Sequence, residues 1–127
     1  MYDSLSSPER YADTVQRSAR RSTCDDAIAL VARHRKVPIR LLMHKSRSRL
    51  PTARARQLAM YLSHVVLGRS LKEVGEAFGR DRTTVSYACA LVEDMRDDLR
   101  FDEEVCELER QLEAGLVAAY GSLSDAA

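Results

Sequence analysis

Apolar residues recur every three or four positions through most of this chain, and nowhere do they alternate as a half-buried strand requires. The pattern predicts an all-α protein, a compact helical domain. The clearest stripe is Leu58, Tyr61, Leu62, Val65 and Val66, which predicts a helix over residues 53–67 that Gly68 stops. Ser70 stands three residues before Glu73, the spacing of a capping box. Leu71, Val74 and Phe78 form the buried side of the helix it opens, and Gly79 closes it. Asp81 can cap the next helix, over residues 82–96, with Val85, Ala88, Cys89, Val92 and Met95 as its inner stripe.

The flanks are less regular. Residues 1–8 are Ser-rich and expected to be disordered. Ser7 and Pro8 can open a weakly amphipathic helix to about residue 21, with Tyr11, Ala12, Val15 and Ala19 as its sparse apolar positions. Ser22 or Thr23 can cap the next helix, where Asp25 and Asp26 favour the positive end of the dipole. Its stripe is Ala27, Ile28, Val31 and Ala32, ending near Arg35. Val37-Pro38 breaks the pattern, and Pro38 can start a short helix over 39–43. Residues 45–52 read as a basic loop. A last helix over 102–120 carries a narrow seam of Val105, Leu108, Leu112 and Leu116, which suits either core packing or a dimer contact. The organisation expected is an extension over 1–21, a helix-turn-helix domain over 22–100, an acidic C-terminal helix over 101–120 and a tail over 121–127.

Composition adds exclusions. A chain of 127 residues makes one small domain. No apolar run reaches the ~18 residues of a membrane span. The N-terminus has neither the basic start nor the apolar core of a signal peptide, so the expected location is the cytoplasm. Cys24, Cys89 and Cys106 are far apart and read as reduced, mostly buried thiols. His34, His44 and His64 are dispersed, and no metal-ligand spacing appears. No cofactor and no metal are expected. No paired carboxylates and no nucleophile-base pattern suggest an enzyme.

Charge changes the picture more. The formal net charge of +1 hides a dipolar chain. Residues 33–56 carry nine Lys or Arg and no acid, whereas residues 93–113 carry ten Asp or Glu against three Arg. The basic block lies directly before the two helices joined by Gly79, and such a block suits a phosphate backbone. A short helix, a tight turn and a second helix form a helix-turn-helix, whose second helix enters the major groove by its N-terminal end. Asp81, Arg82, Thr83 and Thr84 would line that end. Asp accepts from a base amino group, Arg donates to guanine or to phosphate, and Thr offers a hydroxyl and a methyl to thymine. Asp and Thr at a helix start are also ordinary caps.

Three linked stretches carry a family resemblance: Arg54-Ala55-Arg56-Gln57-Leu58-Ala59-Met60-Tyr61-Leu62, then residues 70–79, then Arg80-Asp81-Arg82-Thr83-Thr84-Val85. They resemble the C-terminal DNA-binding domain of the bacterial replication initiator DnaA over roughly residues 22–100. The resemblance implies an all-helical domain that binds short asymmetric DnaA boxes in double-stranded DNA. It implies that Arg47 reaches the minor groove, that Arg56 and Gln57 hold phosphate, and that Asp81, Thr83 and Thr84 touch bases. The candidate DNA-binding set is Lys45, Arg47, Arg49, Arg56, Gln57, Ser70, Arg80, Asp81, Arg82, Thr83 and Thr84. The chain departs from the family at Arg82, where His is usual, and at Gly79, where two glycines are common. The loop between Lys45 and Arg56 is about one residue longer. No GxxxxGK[ST] phosphate loop occurs, so no nucleotide partner is expected. Two functions remain open. One is a cytoplasmic, nucleoid-associated regulator of DnaA-box-like sites that tunes replication initiation or transcription. The other is a protein-interaction module that binds a DnaA regulator without needing DNA.

Overall fold

A computed structural model describes residues 24–44 and 49–126, with side chains through residue 118. The expected helix over 8–21 and its neighbouring caps lie outside the described residues. Within them the chain is helical throughout, with no strand.

The first helix, α1, covers residues 24–35. Lys36 ends it in the left-handed region at φ 59°, a conformation that costs a non-glycine residue about 1–2 kcal/mol. The Val37 amide closes the stop on the Ala32 carbonyl at 3.0 Å. Helix α2 is the short segment Ile39–Met43, opened by Pro38, whose carbonyl accepts from the amides of Leu41 and Leu42. Leu42 is its buried residue.

Helix α3, Leu50–Val65, is the central rod. It starts three residues before the expected Ala53, because Pro51 sits in its first turn, where a missing N–H leaves nothing unpaired. It also ends at Val65 rather than Leu67. The Val66 and Leu67 amides both return to the Leu62 carbonyl, and Gly68 turns the chain at φ 69°. Ala55, Leu58, Ala59, Met60, Tyr61 and Leu62 are all buried, and α2, α4 and α5 pack around them.

Helix α4, Leu71–Phe78, has the boundaries the sequence predicts, and its capping box is formed in both directions. Helix α5 is Arg82–Met95, capped by Asp81. Helix α6, Leu99–Ala126, is longer than expected at both ends. Its start moves from Asp102 to Leu99 because the Asp98 carboxylate accepts from the amides of Arg100, at 2.9 Å, and Phe101, at 3.2 Å. It also runs helically to Ala126, through the stretch expected to be a tail.

The seam of α6 belongs to the core. Val105, Leu108 and Leu112 are buried in the same cluster as the residues of α3, with Leu116 packed at its edge. Two polar ties fix the helix. Glu104 pairs with His34 at 2.9 Å and with Arg35 at 2.8 Å on α1. Arg96, at the end of α5, donates to Asp102, Glu109, the Tyr61 hydroxyl and the Cys106 thiol. Part of the charge dipole seen in the sequence is therefore neutralised inside the molecule: Arg35 of the basic block is spent on the acidic helix.

Candidate nucleic-acid interface

The turn between α4 and α5 is built by backbone chemistry. Gly79 adopts φ 67°, which glycine reaches without steric cost. Its amide meets the Glu76 carbonyl at 3.4 Å, and the Arg80 amide meets the Gly75 carbonyl at 2.8 Å. These two bonds make a Schellman stop. Gly75 is the second fixed point. A Cβ there would sit 2.5 Å from the Arg80 carbonyl oxygen, so the close return of the chain requires glycine.

Asp81 then opens α5. Its side chain accepts from the Thr84 amide at 2.9 Å. That backbone hydrogen bond is the main reason the carboxyl lies below its ordinary range. Asp81 is an anion at neutral pH, with Oδ1 committed to the helix. Arg82, Thr83 and Thr84 follow, all exposed. Among the described residues nothing forms a hydrogen bond or ion pair with Arg82. Lys72, Glu76, Arg80, Asp81 and Arg82 line a shallow cleft beside the turn. Beneath this rim Val85, Ala88 and Val92 anchor α5 in the core, which holds the first turn up to solvent.

Tyr87 was not in the sequence-derived set. It is 67% exposed and lies four residues after Thr83, on the same face of α5. The signal was present in the sequence: an aromatic residue off the inner stripe, at helical spacing from a candidate contact.

The cations divide into two kinds. Lys45 and Arg47 lie outside the described residues. Arg49 is exposed and stands just before α3 as its N-cap. Gln57 is half-buried and accepts from Arg54 at 3.0 Å, which fixes its amide. Ser70 serves α4, its hydroxyl accepting from the Glu73 amide at 3.1 Å.

Arg56 is 8% exposed. Its Nε donates to the Leu42 carbonyl at 2.7 Å, and its Nη2 reaches the carbonyls of Leu41 and His44 at 3.2 Å each. It thus satisfies the Leu42 and His44 carbonyls at the end of α2 and adds a second bond to that of Leu41, which also accepts from the His44 amide. Arg80 is also engaged, with Nη2 on the His44 carbonyl at 3.0 Å and Nη1 on the Phe78 carbonyl at 3.4 Å. The structure brings Asp81, Arg82, Thr83 and Thr84 into one helical turn and joins Arg56 to Arg80 at His44. Arg49 and Ser70 stand at the N-termini of α3 and α4, and Gln57 lies within α3.

The thiols of Cys24 and Cys89 stay protonated at neutral pH. Burial pushes the Cys24 thiol up, and burial first, then Glu93, pushes Cys89 up to about 11. Among the described residues no group of His, Cys, Asp and Glu could hold a metal ion, and no helix is long and apolar enough to cross a membrane.

A known protein has a similar fold. A crystal structure of a DNA replication initiation factor superposes with a TM-score of 0.71 at 31% sequence identity. The match covers 78% of this chain and 30% of that one, so this chain spans under a third of that protein's length. Residues 24–92, more than half of the chain, match the family described as the bacterial dnaA protein helix-turn-helix. That region holds α1 to α4 and most of α5, including the Schellman turn and the Asp81 cap. With the turn, the exposed first turn of α5 and this match all in the same residues, the chain belongs to the bacterial DnaA helix-turn-helix family and carries a DnaA-like DNA-binding domain.

Proposed function

We propose that this protein is a sequence-specific regulator that binds DnaA-box-like sites in double-stranded DNA and so tunes replication initiation or transcription. The observation that carries this reading is the exposed first turn of α5. There Arg82 has no partner among the described residues, and Thr83 and Thr84 face solvent on a helix whose inner face is locked in the core. In this reading Arg82, Thr83 and Thr84 meet base edges in the major groove, with Asp81 fixing the helix start. Arg49, with Lys45 and Arg47 of the same basic segment, supplies phosphate and minor-groove contacts. The protein then sits on the nucleoid.

A binding assay on DnaA-box duplex and on scrambled duplex, across a salt series, tests this. Affinity falls steeply with salt as cations release counterions from phosphate, and the box binds more tightly than the scrambled duplex. Equal binding to both removes sequence specificity, and a flat salt response removes the DNA reading. The second reading, a protein-interaction module, draws on Arg56, whose guanidinium is turned to carbonyls in the protein interior. It gains if no duplex binds.

A further inference from the structure

Arg56 and Arg80 converge on one atom. The His44 carbonyl oxygen accepts from Arg56 at 3.2 Å and from Arg80 at 3.0 Å. His44 is the C-cap of α2 and the last described residue before the basic segment. Arg56 stands on α3, and Arg80 in the turn that opens α5. Three parts of the fold that are distant in sequence therefore meet at a single acceptor.

Bringing two guanidinium ions together has a cost, since like charges repel. Burial, and after it the charge of Arg80, holds Arg56 below its ordinary value. The pair is stable because carbonyls surround it: Leu41, Leu42 and His44 at the end of α2, and Phe78 at the end of α4. Those of Leu42, His44 and Phe78 are carbonyls that a helix C-terminus leaves without intrahelical partners, whereas the Leu41 carbonyl also accepts from the His44 amide. The arrangement needs a planar fork. Arg80 spreads its two terminal nitrogens to the ends of two different helices, and an ammonium on a single stem cannot reproduce that geometry.

The geometry points to Arg80 as a positioning residue: it fixes the N-terminus of α5 against the chain leaving α2, and so sets which base edges that helix can reach. This rests on the DNA reading proposed above. It reassigns Arg80 from a DNA contact to a bracket between the parts that touch DNA, with Arg56 as the buried half of the same bracket.

Salt dependence separates the two roles, because the slope of log affinity against log salt counts neutralised phosphates at about 0.9 each. Arg80→Gln and Arg80→Lys are compared with the native protein on DnaA-box and scrambled duplexes, with circular dichroism to verify each fold. As a bracket, Arg80 contributes nothing to the slope, so Arg80→Gln keeps the native value. Both variants lose about tenfold in discrimination between the duplexes, the factor carried by one hydrogen bond from a charged donor. A merely structural role would lower the melting temperature and leave the discrimination of the folded protein unchanged, which overturns the assignment. A slope reduced by about 0.9 in Arg80→Gln, with discrimination kept in both variants, places Arg80 on a phosphate and also overturns it. If one variant fails to fold, the other decides. Native protein that binds no duplex sinks the DNA reading and the bracket's specificity role together. Native protein that discriminates while both variants match it sinks only the bracket.

Discussion

Gly75→Ala puts two local effects in opposition at the helix-turn-helix. Within a helix, replacing Gly by Ala stabilises by about 0.5–1 kcal/mol through backbone entropy. At Gly75 the added methyl would stand 2.5 Å from the Arg80 carbonyl oxygen. Ordinary contact requires the turn to open by roughly 1 Å. The obstacle is backbone held by the Schellman bonds, so it cannot rotate away, and overpacking of this kind costs about 1–3 kcal/mol. The clash wins, and the net effect is a destabilisation of about 1–2 kcal/mol. Gly115→Ala is the internal control. Gly115 lies inside α6, and a methyl there meets nothing within 4 Å. That variant gains the ~0.5–1 kcal/mol without opposition. The two melting temperatures therefore separate by roughly 6–10 °C, with native between them. Because the displaced carbonyl lies one residue before the Asp81 cap, Gly75→Ala also weakens discrimination between box and scrambled duplex, and Gly115→Ala leaves it intact. Equal stabilisation by the two substitutions would refute the close-approach argument.

Further outcomes follow from single residues. Arg82→His moves the preferred site: selection from a random duplex pool gives different consensus sequences for the two proteins, since Arg pairs well with guanine O6 and N7. Identical consensus sequences place Arg82 on phosphate or in solvent. The Asp81 cap is lost in acid. Its folded value lies below the ordinary 3.8, so its contribution is full above that pH and vanishes as pH falls through the folded value. Asp81→Asn keeps a good cap without the charge, so its stability between pH 5 and pH 2, followed by urea denaturation, falls less than native by that contribution; superimposed acid limbs would count against the assignment. Arg96→Ala removes the shared donor of Asp102, Glu109, Tyr61 and Cys106 and destabilises by about 2–4 kcal/mol in urea. A change under about 0.5 kcal/mol would show that these contacts do not hold α6.

The parts of the fold legible in the sequence are those that local chemistry settles. Helix α4 is the clearest case: Ser70 and Glu73 cap each other across three residues, and Gly79 supplies the left-handed stop, so both ends follow from the ten residues 70–79. Asp81 as the start of α5 is equally local. The missed boundaries have local causes that a periodicity argument weighs wrongly. Pro51 suits a loop and a first turn alike and occupies the first turn, and Asp98 caps α6 ahead of its apolar seam, where periodicity marks no start. The exposed first turn of α5 was legible too, because an inner stripe of Val85, Ala88 and Val92 forces the intervening positions outward.

The sequence by itself determined the helical class, the helix-turn-helix and the candidate reading residues, because caps, glycine stops and helical periodicity act over a few neighbouring residues. Only the tertiary structure decided how the charges are used. Arg56 and Arg80 look like two more cations of a basic chain, yet their partners are carbonyls as much as 36 residues away. Arg35 and Glu104 neutralise each other across 69 residues. Charge along a chain is a sum, but its function depends on which groups folding brings within hydrogen-bond reach. That leaves Arg82 with nothing in the described protein to bind.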